Sequence, residues 1–371
     1  MSGGKANIRI IISGGGTGGH LFPAIAIANA LKRVEPVADI LFVGANGRME
    51  MQKVPEAGYE IEGLPVAGFV RGLSLKNISV IGKLFRSMMK SRKIIRRFKP
   101  DVVVGVGGYA SGPILKQAQR MNIPTLIQEQ NSYAGVTNKL LAQKADKICV
   151  AYEGMEKYFP KAKIILTGNP VRMTFDNLGA LRAEALEHFK LNNSMPVILV
   201  LGGSLGAGTI NSSVGGGISP VGEAGVQMIW QTGSHYYDRM RELTEAAATN
   251  NIRVTGFISR MDLAYAAADI IISRAGAGTI SELALVGKPV ILVPSPNVAE
   301  DHQTHNAMAL VNREAAVLVT DAAAQAELIT TALTLLKDSA RREKLSENIR
   351  KLAIRDADEV IAREVLKLVN R

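Results

Sequence analysis

Apolar residues in this chain come in short unbroken runs, not in strict alternation with polar ones. In the first half the runs fall at 8–14 (IRIIISG), 38–44 (ADILFVG), 59–66 (YEIEGLPV), 101–108 (DVVVGVGG), 124–130 (PTLIQEQ) and 147–152 (KICVAY). In the second half they fall at 196–204 (PVILVLGGS), 226–233 (VQMIWQTG), 252–258 (IRVTGFI), 269–276 (DIIISRAG) and 289–296 (PVILVPSP). Unbroken runs of this length predict parallel strands covered on both faces. The stretches between them have helical spacing, so strand and helix alternate. The expected class is α/β, with doubly wound parallel sheets. Each half opens with a strand that runs into glycines, IIISGGGTGG and LVLGGSLGAG. Two Rossmann-like domains in tandem are therefore expected. Gly168 and Pro170, in TGNPVR (167–172), mark the expected boundary. From about residue 354 the pattern is again helical, and this last helix is free to pack on either domain.

The first glycine turn, ISGGGTGGH (12–20), has Gly14, Gly16 and Gly19 at dinucleotide spacing. A nicotinamide site also needs an acid at the end of the second strand to hold ribose hydroxyls. Gly44, Ala45 and Asn46 stand there, and the next carboxylate is Glu50. An NAD site is therefore not expected. Glycines still let the backbone approach an oxyanion, and the helix that follows offers unpaired N–H groups. A phosphate or diphosphate is the expected guest; the plain alternative is a tight turn with no ligand. His20 falls in the first turn of that helix, whose positive end favours the neutral imidazole. Such a group can act as a base, or it can simply cap or pack.

The second half repeats the logic. GGSLGAGTIN (202–211) adds the hydroxyl of Ser204 to a glycine turn. In AGTISELALVG, Thr279 and Glu282 have the spacing of a helix capping box. The other reading places Thr279 on a phosphate and Glu282 on ribose hydroxyls. PSPNVAEDHQTHNA (294–307) gathers Asp301, His302, Gln303 and Asn306 after a strand end, where such sheets bind ligands. His302 and His305 lack an evident third ligand, so no metal is expected. The one Asp-x-Asp, Asp356 to Asp358, lies in the terminal helical region and reads as a solvated face.

With 371 residues and 47% hydrophobic content, the chain suits two globular domains. Its single cysteine, Cys149, sits in an apolar run, reads as core and fits a reducing compartment. The N-terminus has no signal-peptide layout, and no stretch reaches the ~18 apolar residues of a membrane span. The expectation is a protein that is cytoplasmic or attached to a membrane from outside. The formal net charge is +11. Residues 1–170 carry 24 Lys and Arg against 11 Asp and Glu, whereas 171–371 carry 20 against 22. The first half should therefore face something anionic. Its most basic stretch, 69–100, has ten Lys or Arg and no acid. There Ile78, Ile81, Leu84, Phe85, Met88 and Met89 lie close to helical spacing, among Lys83, Arg86 and Lys90. An ordinary surface helix is one reading. The missing acids and surplus apolar residues favour the other, an anchor on anionic lipid. Nucleic acid is not expected, because aromatics to stack bases are scarce here.

Taken in order, GGGTGGHLFPA, GVGGYASGP (105–113), QEQNSYAGVTNKLLA (128–142), TGNPVR, GGSLGA, RAGAGTISE and DHQTHNA resemble the MurG family. These are bacterial glycosyltransferases that move N-acetylglucosamine from UDP-N-acetylglucosamine to lipid I, giving lipid II and UDP. The resemblance runs from about residue 8 to the terminal helix. It implies a GT-B fold, with two Rossmann-like domains facing a cleft. It implies an N-terminal acceptor domain (1–168), a C-terminal UDP-N-acetylglucosamine domain (169–353) and a last helix (354–371) that returns to the first. It also implies inverting transfer, no cofactor, and a peripheral position on the cytoplasmic face of the inner membrane. Anionic lipids and proteins of cell-wall synthesis and division are the partners it suggests. By motif, His20 matches the favoured general base, with Glu129 as a rival or orienter. Gly15, Gly16, Tyr109 and Asn138 match acceptor-side positions. Thr17, Gly18, Gly19, Asn131, Arg172, Ser204, Ile258, Thr279, Glu282, His302, Gln303 and Asn306 match positions that meet the donor. Two residues depart from the pattern: Leu205 stands where glutamine is common, and Gly278 where leucine can contact the nucleotide.

Overall fold

A computed structural model describes residues 7–66, 76–171, 177–203, 205–247 and 249–369. The first sheet contains β1 (Arg9–Ser13), β2 (Asp39–Ala45), β3 (Glu60–Leu64), β4 (Val102–Gly105), β5 (Thr125–Glu129), β6 (Lys147–Val150) and β7 (Ile164–Leu166). Its order is β3-β2-β1-β4-β5-β6-β7, and every pairing is parallel. The second contains β8 (Val197–Leu201), β9 (Gln227–Gln231), β10 (Ile252–Thr255), β11 (Ile270–Ser273), β12 (Val290–Leu292) and β13 (Val317–Leu318). Its order is β10-β9-β8-β11-β12-β13, again parallel throughout. Both are doubly wound sheets, with order reversing between β1 and β4 and between β8 and β11. That reversal opens a crevice at the carboxyl ends of the strands. The edge strands β7 and β13 were not foreseen.

Burial explains the unbroken runs. Ile10 and Ile12 face one layer with Ile27, Leu31 and Val104, while Ile11 faces another with Val103, Ile114 and Ile127. All nine are fully buried, so consecutive residues in the middle of the central strands need apolar side chains. The second unit's core gathers Ile198, Val200, Ile272 and Trp230. The Trp230 indole donates to Asn211 Oδ1 at 3.0 Å, and Asn211 donates to the Thr232 carbonyl at 2.9 Å. These bonds fasten the helix Gly208–Gly216 over β9. Cys149 is core, as expected, and burial pushes its thiol up to about 12.

The chain divides into two units, Met1–Arg172 with Ile354–Arg371, and Met173–Ala353. In the first unit the last helix, Ala357–Val369, sets Ile361, Ala362, Val365 and Leu368 against the layer of Ile27 and Leu31. Gly168 has φ +77°, and a Cβ there would come within 2.8 Å of Ile354. The outgoing and returning strands of chain thus touch at a residue that only glycine fits.

Candidate active site

In the first unit the turn after β1 leads into the helix Gly18–Val34. Thr17 is its N-cap, but the hydroxyl makes no cap bond. It lies 3.2 Å from His20 Nδ1 instead. The N–H groups of Gly18 and Gly19 open the helix and have no partner within it. Gly16, at φ +85°, behaves differently: its N–H points inward and donates to both oxygens of Glu50, at 3.1 and 3.0 Å. The second turn, after β4, lies against the first. A Cβ on Gly108 would sit 2.3 Å from the Gly15 carbonyl oxygen. A Cβ on Gly107, at φ +94°, would sit 2.7 Å from Cδ2 and 2.9 Å from Nε2 of His20. The imidazole is half-buried and flanked by two glycine turns. Tyr109 follows them and is exposed.

Glu129 ends β5 and is buried. Oε1 accepts from Asn131 N at 3.1 Å and Nδ2 at 3.2 Å; Oε2 accepts from Gly135 N at 3.0 Å and Asn138 Nδ2 at 2.9 Å. Four donors on one buried carboxylate hold the loop 131–135 and the helix Val136–Ala142 in place. Below it Gln128, Gln130 and Asn169 bond one another in a buried chain.

In the second unit the turn after β8 uses Gly203 and Gly206 at φ +75° and +84°, then enters the helix Gly208–Gly216. Leu205, within the turn, is 79% exposed. The turn after β11 enters the helix Ala277–Val286, whose N-cap is Gly276. Thr279 therefore lies inside the first turn, and the capping-box alternative does not form. Gly278 faces open space, so a larger residue there would project outward. Tyr265 Oη lies 3.4 Å from Glu282 Oε2. Burial first, and the nearby Glu282 charge second, push this phenol well above its ordinary value, so it remains a donor.

Gln303 Oε1 accepts from Ala275 N at 3.3 Å and Ser295 N at 2.9 Å, joining the turns after β11 and β12. Asn306 is fully buried and donates to the Ala275 carbonyl at 3.4 Å. His302 Nε2 lies 3.1 Å from Glu300 Oε2. Glu300 and Asp301 both have left-handed φ, +53° and +52°. That costs on the order of 1 kcal/mol per non-glycine residue. Ile258 is buried, with its N–H on Gln231 Oε1 at 3.0 Å, beside a groove of about 300 Å³ lined by Phe189, Arg253, Thr255 and Phe257. Arg172 and Ser204 lie outside the described residues.

Three further arrangements escaped the sequence reading. Glu50 was noted there only as too late to hold a ribose. Tyr265 was not singled out, because no local pattern marks its partner, Glu282. Arg274 donates to the Val293 carbonyl at 3.0 Å and pairs with Asp321 at 2.5 Å, which also accepts from Thr209 at 2.9 Å. One ion pair thereby ties together the turns after β8, β11 and β12.

The basic helix Lys76–Phe98 buries Val80, Ser87, Ser91, Ile94 and Ile95 on one side. Leu84, Phe85 and Met89 are 41%, 66% and 60% exposed, beside exposed Lys83 and Arg86. Met88 is half-buried, and Lys90 donates to the Gly63 carbonyl at 2.7 Å. Nothing is described of the Ile78 and Ile81 side chains. Val136 and Leu140, at 53% and 74% exposure, add apolar surface that the sequence reading did not single out. No described helix is long and apolar enough to cross a membrane.

Two family descriptions match this chain: glycosyltransferase family 28 N-terminal domain over residues 10–150, and glycosyltransferase family 28 C-terminal domain over 197–361. A UDP-N-acetylglucosamine--N-acetylmuramyl-(pentapeptide) pyrophosphoryl-undecaprenol N-acetylglucosamine transferase from Phocaeicola vulgatus is 61% identical, over 99% of this chain and 98% of its own length. The chain belongs to the MurG family. The crystal structure of Acinetobacter baumannii MurG superposes with a TM-score of 0.80 at 27% identity, covering 97% of this chain and 99% of that one. A Neisseria meningitidis UDP-GlcNAc 2-epimerase shares the fold, with a TM-score of 0.65 at 16% identity over 97% and 100% of the two chains. The two parallel α/β sheets, of seven and six strands, are consistent with the GT-B fold expected for MurG proteins.

The glycine packing around His20 yields a direct prediction. Gly107→Ala places a methyl group against the imidazole and forces a left-handed alanine. Turnover should fall by roughly tenfold or more through misplacement of the ring, while UDP affinity, measured by calorimetry, stays at the wild-type value.

Proposed function

We propose that this chain transfers N-acetylglucosamine from UDP-N-acetylglucosamine to the C4 hydroxyl of the N-acetylmuramyl group in undecaprenyl-pyrophosphoryl-N-acetylmuramyl-pentapeptide, lipid I. The products are lipid II and UDP. The observation that carries this reading is the 61% identity, over nearly the whole of both chains, to a transferase of that name. The first unit takes the acceptor and the second takes the donor; the Gly18 and Gly19 amides, which the family pattern matches to the donor, are assigned in this reading to the acceptor pyrophosphate. The excess positive charge of residues 1–170 supports the first assignment, since the acceptor is anionic and membrane-borne. The glycine turns after β8 and β11, with Glu282 steadied by Tyr265, support the second.

The reaction is one displacement with inversion at C1. The acceptor oxygen forms a bond to C1 as the bond from C1 to the diphosphate oxygen breaks, and UDP leaves with the electron pair. The hydroxyl proton goes to His20. When Nδ1 donates to Thr17 Oγ1, Nε2 carries the lone pair and acts as the base. Glu129 is the weaker candidate, because both its oxygens already accept two hydrogen bonds. Its role is to hold Asn131 and Asn138. Charge that develops on the departing diphosphate is met by backbone N–H groups at the turns and helix N-termini of the second unit.

The chain works at the cytoplasmic face of the membrane as a peripheral protein. Leu84, Phe85 and Met89, beside Lys83 and Arg86, form an apolar and basic face suited to anionic lipid. Phe85→Asp should reduce co-sedimentation with vesicles containing anionic phospholipid, and leave binding of UDP-N-acetylglucosamine unchanged.

UDP release from UDP-N-acetylglucosamine, followed with and without lipid I, tests the activity. Release should depend on the acceptor. Release without it, or isomerisation of the donor sugar, would point to the epimerase chemistry that shares this fold. In the same assay His20→Ala should lose roughly 10²–10⁴ in rate while UDP still binds; full turnover would remove His20 from the role of base.

A further inference from the structure

Glu50 opens the helix Glu50–Glu56, just beyond β2, and its residue is fully buried. Among the described residues it forms no ion pair. Its hydrogen bonds come from the backbone: Gly16 N to both oxygens, and Ala45 N to Oε1 at 3.0 Å. A buried carboxylate without a cation depends on such bonds for its compensation. Tight packing accompanies them. A Cβ on Gly15 would meet Glu50 Oε1 at 2.3 Å, and one on Gly44 would meet its Cγ at 2.6 Å. The carboxylate therefore fills the notch between the turn after β1 and the end of β2. In a dinucleotide-binding sheet, that notch is where an acid at the end of the second strand holds a ribose.

We propose that Glu50 is a positioning residue that latches the first glycine turn and dedicates it to the acceptor. The latch has two effects. It turns the Gly16 N–H inward, so the N–H groups left to meet an anion are those of Gly18 and Gly19, next to His20. It also occupies the notch a nucleotide would use. This role rests on the reading that the first unit receives the acceptor pyrophosphate. Glu50 touches no substrate and acts through the turn. The carboxylate is suited to the task because it only accepts hydrogen bonds. An amide of the same shape accepts through one atom only and brings a donor against the Gly16 N–H.

The experiment compares wild-type protein with Glu50→Gln and Glu50→Ala in the lipid I assay, titrating each substrate at saturation of the other. For Glu50→Gln the expected result is a roughly ten- to hundredfold fall in kcat/KM for the acceptor, an unchanged donor KM, and a wild-type melting temperature. Unchanged acceptor kinetics overturns the proposal. So does an equal loss for both substrates accompanied by a lowered melting temperature, since that marks a purely structural role. Amide exchange of the wild-type protein needs no variant: Gly16 should be protected, while Gly18 and Gly19 exchange freely. If Gly16 exchanges as fast as they do, the latch is absent. Should wild-type protein show no acceptor-dependent UDP release, the assigned activity falls, and the exchange result still judges the latch.

Discussion

A turn that offers its backbone to an anion has no side chains of its own to hold its shape. That constraint runs through the whole protein. The turns after β1, β4 and β8 use glycines with left-handed φ, and a Cβ on Gly107, Gly108 or Gly206 would collide with a neighbouring ring or backbone, as one on Gly15 would with the Glu50 carboxylate. Their conformations are held from outside by acids. Glu50 takes the Gly16 N–H, Glu129 gathers the loop after β5, and Asp321 with Arg274 ties the turns of the second sheet. For Glu50 and Glu129 an acceptor-only group suits this work because the backbone atoms to be fixed are donors, whereas in the second sheet Arg274 donates to backbone carbonyls and Asp321 holds Arg274.

The same constraint divides the chemistry. In the first unit the imidazole of His20 lies between two glycine turns, with Thr17 setting its orientation. In the second, the side chain of Gln303 joins the turns after β11 and β12, and a buried phenol lies against Glu282. Gln303 and Asn306, which match donor positions by motif, both bond the loop at Ala275. Residues that look like ligand contacts can serve by shaping the turn that makes the contact.

Much of the fold was legible because both sheets are buried on two faces. Unbroken apolar runs such as Arg9–Ser13 and Val197–Leu201 announce central parallel strands, and glycines announce the turns that follow. The strands Ile164–Leu166 and Val317–Leu318 escaped notice because a two- or three-residue edge strand has no period to detect. Of the two readings of Thr279, the capping box does not form because Gly276, which carries no capping oxygen, begins that helix. The latch by Glu50 was hidden for a different reason. It joins residues 34 positions apart, and no local pattern records which donor a distant carboxylate will meet.

The central claim is that backbone amides at two separate glycine turns receive two different diphosphates. Selective ¹⁵N labelling of glycine, with amide resonances followed during titration, tests it most directly. Lipid I should shift Gly18 and Gly19 and leave Gly203 and Gly206 unmoved, while UDP should do the reverse. UDP shifting the first pair, or lipid I leaving that pair untouched, would contradict the account.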